Sequence, residues 1–216
     1  MTVVLRSRVG DAVSLFDPQG TQYLGTLEAI AKNSAEISIA QAIPAVPARY
    51  NVTVACAVPK GNRFEDAVEK LTELSVDLII PMHTDRVVVD LSENTAKKLE
   101  RWRRLAQSAA EQSQRQILPQ IPGILTFDEV LQKTREYSLK LIPTLEGDLK
   151  SLREVIPTAF NGSIVVVIGP EGDFTPDEVR RAIQAGFTPI SLGRTVLRVD
   201  TAAIAAAAYI KMALKD

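Results

Sequence analysis

The chain has 216 residues, with 25 Lys and Arg against 26 Asp and Glu, one His and one Cys. A hydrophobic fraction of 46% beside 24% charged residues excludes a disordered chain. Cys56 alone excludes an internal disulfide, which fits a reducing compartment, and a single His with a single Cys excludes a Cys/His zinc site.

The opening Met1-Thr2-Val3-Val4-Leu5-Arg6 lacks the apolar stretch of a signal peptide. No window approaches the ~18 to 20 apolar residues of a membrane span. The expectation is a soluble, cytoplasmic protein. Residues 12–16, 23–30 and 35–40 read as short strands separated by Asp17-Pro18-Gln19-Gly20 and Lys32-Asn33-Ser34, which predicts a small β-barrel or sandwich over 1–45. Pro44 and Pro47 mark a linker at 42–49. From residue 50 strands and helices alternate. Strands are expected at 52–58, 78–81, 139–142, 164–168 and 189–192, and helices at 64–74, 94–115, 126–134, 149–156, 178–185 and 201–214. The run Ile164-Val165-Val166-Val167-Ile168 is apolar throughout, as in a strand buried on both faces. The pattern predicts an α/β domain with a largely parallel sheet and helices on both faces.

In such sheets ligands bind beyond the carboxyl ends of the strands. The eleven glycines never occur as G-x-G, and no G-x-x-x-x-G-K-[ST] is present, which disfavours dinucleotide and P-loop chemistry. Two loops after strands stand out. Gly169-Pro170-Glu171-Gly172-Asp173-Phe174 leads into a helix with Thr175 as N-cap, Pro176 at its first position and Glu178 completing a capping box. A tight strand-to-helix turn accounts for its glycines and prolines. Its charges point further: Glu171, Asp173, Asp177 and Glu178 crowd one helix N-terminus with no Lys or Arg among them, an environment for a cationic or neutral ligand rather than a phosphate. The second loop, from Leu192 to Thr201, feeds a helix rich in alanine (Ala202, Ala203, Ala205, Ala206, Ala207, Ala208), whose small side chains permit close backbone approach.

Gly169 to Phe174 after a buried strand, followed by Leu192-Gly193-Arg194-Thr195-Val196-Leu197-Arg198-Val199-Asp200-Thr201-Ala202, resembles the paired signatures of the RsmE family. Lys60-Gly61 through Phe64-Glu65, Lys70 to Leu74, Pro81 to Val88, Arg101-Trp102 and Ala109 to Arg115 resemble further segments of that family. The resemblance covers nearly the whole chain. Asp173 stands where the family usually has a second Gly, and Asp200 where it has Glu. Val4-Leu5-Arg6 comes almost at once, so roughly the first strand of the family's N-terminal barrel is expected to be missing, through truncation or a misassigned start.

The resemblance implies a SPOUT-superfamily enzyme that methylates N3 of a uridine in 16S ribosomal RNA, within the small ribosomal subunit, using S-adenosylmethionine. It implies a PUA-like β-barrel at 1–45 and a methyltransferase domain at 46–216 with a deep C-terminal trefoil knot, dimerising with a second copy through the knotted domain. The implied cofactor pocket comprises Leu141, Pro143, Leu145, Ile168, Gly169, Pro170, Glu171, Gly172, Leu192, Gly193, Val196, Leu197, Arg198 and Thr201. Neither a metal nor a membrane is expected.

Uracil N3 is a poor nucleophile until its proton leaves, so the protein must orient the base and help the proton depart. With no favoured His, the candidates are Arg198, Glu171 and Asp200. Arg198 either stabilises the developing uracil anion or forms a structural ion pair with Asp200. Glu171 and Asp200 hold the ligand's cationic end, act as base or cap the loop. His83 is read as an exposed loop histidine and Cys56 as a small buried hydrophobe. Lys97, Lys98, Arg101, Arg103, Arg104 and Arg115 outnumber Glu100 and Glu111 on the helix at 94–115, a basic surface suited to phosphate contact. The RNA-binding candidates are Arg6, Arg8, Lys60, Arg63, Arg86, Arg101, Arg104 and Arg115. Two other functions fit the same features: a SPOUT methyltransferase acting on another RNA nucleotide, and a non-catalytic RNA-binding factor in ribosome assembly.

Overall fold

The computed structural model describes residues 7–17, 20–44, 48–87, 95–145 and 147–214. Arg6 and residues 45–47 of the 42–49 linker lie outside the described residues. The contacts divide the chain into two units, residues 1–47 with 114–117, and residues 48–113 with 118–216.

In the first unit β1 (Ala12–Phe16), β2 (Gln22–Ile30) and β3 (Ala35–Ile43) form an antiparallel meander. Asp17 shapes the first turn, its carboxylate accepting from the Thr21 N–H at 2.9 Å and the Tyr23 hydroxyl at 3.1 Å. Among the described residues this unit is an open three-stranded sheet, where the sequence pattern suggested a closed barrel or sandwich.

The second unit is built on a seven-stranded sheet whose pairings are all parallel. Its strands are β4 (Tyr50–Ala57), β5 (Leu78–His83), β6 (Leu125–Thr126), β7 (Leu139–Pro143), β8 (Lys150–Ser151), β9 (Gly162–Ile168) and β10 (Thr188–Ser191), in the order β6-β5-β4-β9-β7-β10-β8. The helices are α1 (Arg63–Glu73), α2 (Thr95–Gln112), α3 (Phe127–Lys133), α4 (Leu152–Val155), α5 (Pro176–Gln184) and α6 (Val199–Ala213). β9 is the central strand, and its side chains alternate between two cores as the pleat requires. Ile164, Val166 and Ile168 pack with Phe64, Leu71, Trp102 and Ile210 from α1, α2 and α6. Val165 and Val167 pack with Phe127, Val130 and Ala182 from α3 and α5. A strand covered on both faces has no polar side to present, which is why its sequence does not alternate. The alanines of α6 do the packing expected of them. Ala202, Ala203, Ala206 and Ala207 are buried, and the helix lies on α1, β4 and β9.

Three expectations change. The helix foreseen at 149–156 is a single turn, α4, preceded by the two-residue strand β8, because Ser151 caps the turn through Glu154 and leaves Lys150 free to pair with β10. α2 stops at Gln112 rather than reaching residue 115; Gln114, at φ 56°, takes the left-handed conformation that a helix cannot continue. β6 had no periodic signal and is held by two register pairs to the end of β5.

Candidate functional site

The carboxyl ends of β7, β9 and β10 open into a cavity of about 330 Å³, closed on one side by Val199 and Ala202 of α6. Its walls are the loops after the three strands, with Leu145, Leu149, Ile168, Leu192 and Leu197 giving it apolar surface. This size and this mixture of apolar walls with backbone polar groups suit a small organic ligand. A larger hollow of about 540 Å³ runs between α2 and residues 118–122. It is removed from the strand ends, and its Arg103 already donates to the Ile121 carbonyl at 2.9 and 3.1 Å, so the chemistry is sought at the first cavity.

The loop after β9 folds back on itself through the Asp173 N–H donating to the Pro170 carbonyl at 3.0 Å. Gly169 permits a close approach: a Cβ there would lie 3.0 Å from the Phe174 ring, which is buried against Phe127 with 5.2 Å between ring centroids. Gly193, at φ 133°, lines the cavity, and a Cβ on it would meet nothing within 4 Å. Glycine there leaves bare backbone facing the space, in a conformation other residues rarely adopt.

The four acids of this loop and of the first turn of α5, which have no Lys or Arg among them in the sequence, are each engaged in the fold. Glu171 pairs with Arg63 from the start of α1. Asp177 pairs with Arg180 and with Arg181, the latter at 3.1 Å. Asp173 Oδ2 accepts from Thr144 Oγ1 at 3.1 Å and from the Leu145 N–H at 2.9 Å. Glu178 is fully buried; it accepts from the Thr175 N–H and hydroxyl at 2.8 and 3.1 Å and from the Asp85 N–H at 3.0 Å. Arg86 donates to the Gly172 and Phe174 carbonyls at 2.5 and 3.4 Å. Arg63 and Arg86 come from distant segments that no local window displays, whereas Arg180 and Arg181 stand three and four residues after Asp177.

Of the cofactor candidates, Pro143, Leu145, Ile168, Gly169, Pro170, Glu171, Leu192, Gly193, Val196 and Leu197 line the cavity. Leu141 is wholly buried in the core, and Gly172, Arg198 and Thr201 are not among the lining residues. Leu149, Asp173, Ser191, Val199 and Ala202 line it without having been singled out as pocket residues. Ser191 hydrogen-bonds Gly193 through its hydroxyl, a local contact typical of turns that composition alone does not reveal.

Arg198 is exposed at the N-cap of α6, and among the described residues its side chain has no hydrogen-bond or ion-pair partner. The alternative of an Arg198–Asp200 ion pair is therefore not realised. Asp200 lies in the first turn of α6 with Oδ1 buried and without a hydrogen-bond partner. Burial, and after it the Asp200 carboxylate, push the thiol of Cys56 up, which places that carboxylate's field at the end of β4. Cys56 has no exposed surface, and His83 is exposed at the end of β5.

The RNA candidates are dispersed. Arg63 and Arg86 sit against the loop after β9 as described. Lys60 is exposed just before α1. Arg101 pairs at 2.6 Å with the largely covered Glu65, and Arg104 with Glu100 one turn away, an exposed pair of the kind worth ~0.2–1 kcal/mol. Arg8 is exposed in the first unit, and Arg115 lies past the end of α2 in the segment 114–117. Among the described residues no group of His, Cys, Asp and Glu could hold a metal, and no helix is long and apolar enough to cross a membrane.

The model of an RNA methyltransferase domain matches residues 46–211, and that of an RNA methyltransferase PUA domain matches residues 1–40. The ribosomal RNA small subunit methyltransferase E of Synechocystis sp. is 35% identical over 99% of this chain and 70% of its own length. The methyltransferase Lpg2936 of Legionella pneumophila, solved with bound SAM, superposes with a TM-score of 0.88 at 31% identity, over 100% of this chain and 88% of its own. Ribosomal RNA small subunit methyltransferase E of Neisseria gonorrhoeae, bound to S-adenosyl methionine, gives 0.87 at 32% identity, over 98% of this chain and 86% of its own. The chain belongs to the ribosomal RNA small subunit methyltransferase E family.

Proposed function

We propose that the protein methylates N3 of a uridine in the RNA of the small ribosomal subunit, with S-adenosylmethionine as methyl donor. The cavity at the ends of β7, β9 and β10 carries this reading. It fits the donor on three counts. Leu145, Leu149, Leu192 and Leu197 offer apolar walls to a flat base, Gly193 opens bare backbone to the ligand, and Glu171 and Arg194 offer opposite charges to an amino-acid end. The backbone of residues 143–145, 168–173 and 191–197 would hold the group. When bound, S-adenosylmethionine supplies an electrophilic methyl on a sulfonium and departs as a neutral thioether, so no strong general acid is required.

The chain's own task is to bind the uracil and take its N3 proton. Asp200 is the acceptor in this reading: it stands in the first turn of α6 between Val199 and Ala202, which line the cavity, and its buried Oδ1 has no hydrogen-bond partner within the described residues. Arg198, unpartnered and two residues away, would stabilise the negative charge that spreads onto the uracil oxygens as the proton leaves. Lys60, Arg63, Arg86, Arg101 and Arg104 would supply phosphate contacts, and the PUA domain further contacts through Arg6 and Arg8. A base must be unstacked to reach such a cavity, so the target uridine is single-stranded or flipped.

The finer architecture follows the family reading. Residues 1–45 act as a PUA-like RNA-binding domain, and residues 46–216 as a SPOUT domain whose last helix is threaded in a trefoil knot. Two copies pair through that domain, in the cytoplasm. Tyr209 and Met212, 37% and 81% exposed on α6, support a partner surface there.

Incubation with labelled S-adenosylmethionine and undermethylated small subunits should place one methyl on uridine N3. Asp200→Asn and Arg198→Ala should each lower transfer at least ~100-fold, within the range for a lost general base or a lost charge contact, while calorimetry finds cofactor affinity within a few-fold of the parent. Methylation at another position, or full turnover in Asp200→Asn, overturns the assignment.

A further inference from the structure

Asp173 is a non-glycine residue at φ 61°, in the left-handed region that Asp tolerates better than most side chains but at a cost relative to glycine. Something must offset that cost. Both carboxylate oxygens are used. Oδ1 accepts from the Phe174 N–H at 2.8 Å, and Oδ2 accepts from Thr144 Oγ1 and the Leu145 N–H, which belong to the loop after β7. Thr144 is buried, and its own N–H donates to the Ile190 carbonyl of β10 at 3.2 Å. Thr144, Leu145 and Asp173 all line the cavity. One carboxylate therefore ties two of the cavity walls together, and Thr144 extends the tie to the third.

We propose that Asp173 is a positioning residue that sets the cofactor pocket in its binding shape before the ligand arrives. This rests on the reading of the cavity as the cofactor site. Leu145 is 56% exposed and has little packing of its own to fix it. Without Asp173, its backbone N–H loses its acceptor and the wall it forms is free to move away from the loop after β9. Ligand binding would then have to order that wall, and affinity falls by the cost of doing so.

The substitution Asp173→Gly isolates the effect, because glycine adopts the same φ without strain and the fold should persist. The expected result is a Kd for S-adenosylmethionine about tenfold weaker by calorimetry, in line with the loss of a preorganised contact set. In the ligand-free protein, hydrogen exchange at the Leu145 and Phe174 amides should accelerate while the amides of β9 stay protected. Asp173→Asn keeps one acceptor oxygen for the loop after β7 and should restore most of the affinity. Thr144→Val, which removes one donor from the opposite wall, should weaken binding by a smaller factor of about three. Unchanged affinity and unchanged Leu145 exchange in Asp173→Gly overturn the proposal. So does a loss that Asn fails to repair. Failure of the parent protein itself to bind S-adenosylmethionine would instead refute the reading of the cavity, an outcome separable from both.

Discussion

Replacing Glu178 by Ala should cost about 3 kcal/mol of stability, and the structure supplies the reasoning. The side chain is fully buried, yet its carboxylate serves as acceptor for three donors: the Thr175 N–H, the Thr175 hydroxyl and the Asp85 N–H. The hydroxyl can rotate to another acceptor. The two backbone groups cannot, and a buried donor left without a partner costs ~1–3 kcal/mol. Asp85 is exposed and Thr175 half-buried, so water partly replaces the lost acceptor and the two donors together give about 2–3 kcal/mol, the lower part of that range. Against this stands the relief of desolvating a carboxylate, which a helix N-terminus already makes less severe. About 3 kcal/mol is a large share of the ~5–15 kcal/mol that holds a domain of this kind folded. Glu178→Gln keeps the shape but has one oxygen for two N–H groups and turns an NH₂ toward the other, so it should lose about 1–2 kcal/mol. Urea denaturation followed by circular dichroism measures both, and hydrogen exchange at Asp85 locates the effect. A loss below about 0.5 kcal/mol for Ala, or a Gln variant less stable than the Ala variant, would refute the claim that this carboxylate joins the loop after β5 to α5.

Gly169→Ala should lower stability by about 1–3 kcal/mol, the usual range for forced overpacking, because the new methyl would stand 3.0 Å from the Phe174 ring; thermal unfolding of the variant, with Phe174→Leu as a relieving second change, checks this. Cys56, with no exposed surface and its thiol pushed up by burial and by Asp200, should resist a thiol reagent at pH 8 in the native protein and react at once in denaturant; rapid labelling of the folded protein would contradict the packing of β4.

Much of the second unit could be read from the chain, for a definite reason. Ile164 to Ile168 shows no alternation because both faces of β9 are covered, and the capping box at Thr175 and Glu178 uses residues three apart. What escaped was information carried by distant pairs or by very short elements. β6 and β8 have two residues each, too few for any period to show. Arg63 reaches Glu171 across 108 positions and Asp85 reaches Glu178 across 93, and no local window contains both partners. At the site the two loops were legible as chemistry after strands, whereas the contribution of Leu149 and Ser191 depends on how β8 and β10 sit beside β7.

The four acids around the loop after β9 show why composition misjudged this edge of the sheet. Counted in sequence they form a negative cluster, an environment for a cationic or neutral ligand. In the fold each has a separate occupation. Glu171 is matched by Arg63 and Asp177 by Arg180 and Arg181, so little net field from these two survives at distance. Glu178 and Asp173 spend their oxygens on backbone N–H groups and hydroxyls, fixing the loop rather than projecting charge. Among the described residues the carboxylate left with an unpaired buried oxygen is Asp200, which lies in the first turn of α6 and is outnumbered in the sequence by the four. An acid that is already hydrogen-bonded must give up those bonds to accept a proton, whereas Asp200 Oδ1 has none to give up. The proposed assignment of the proton acceptor to the start of α6, rather than to the more conspicuous acidic turn before α5, rests on this difference.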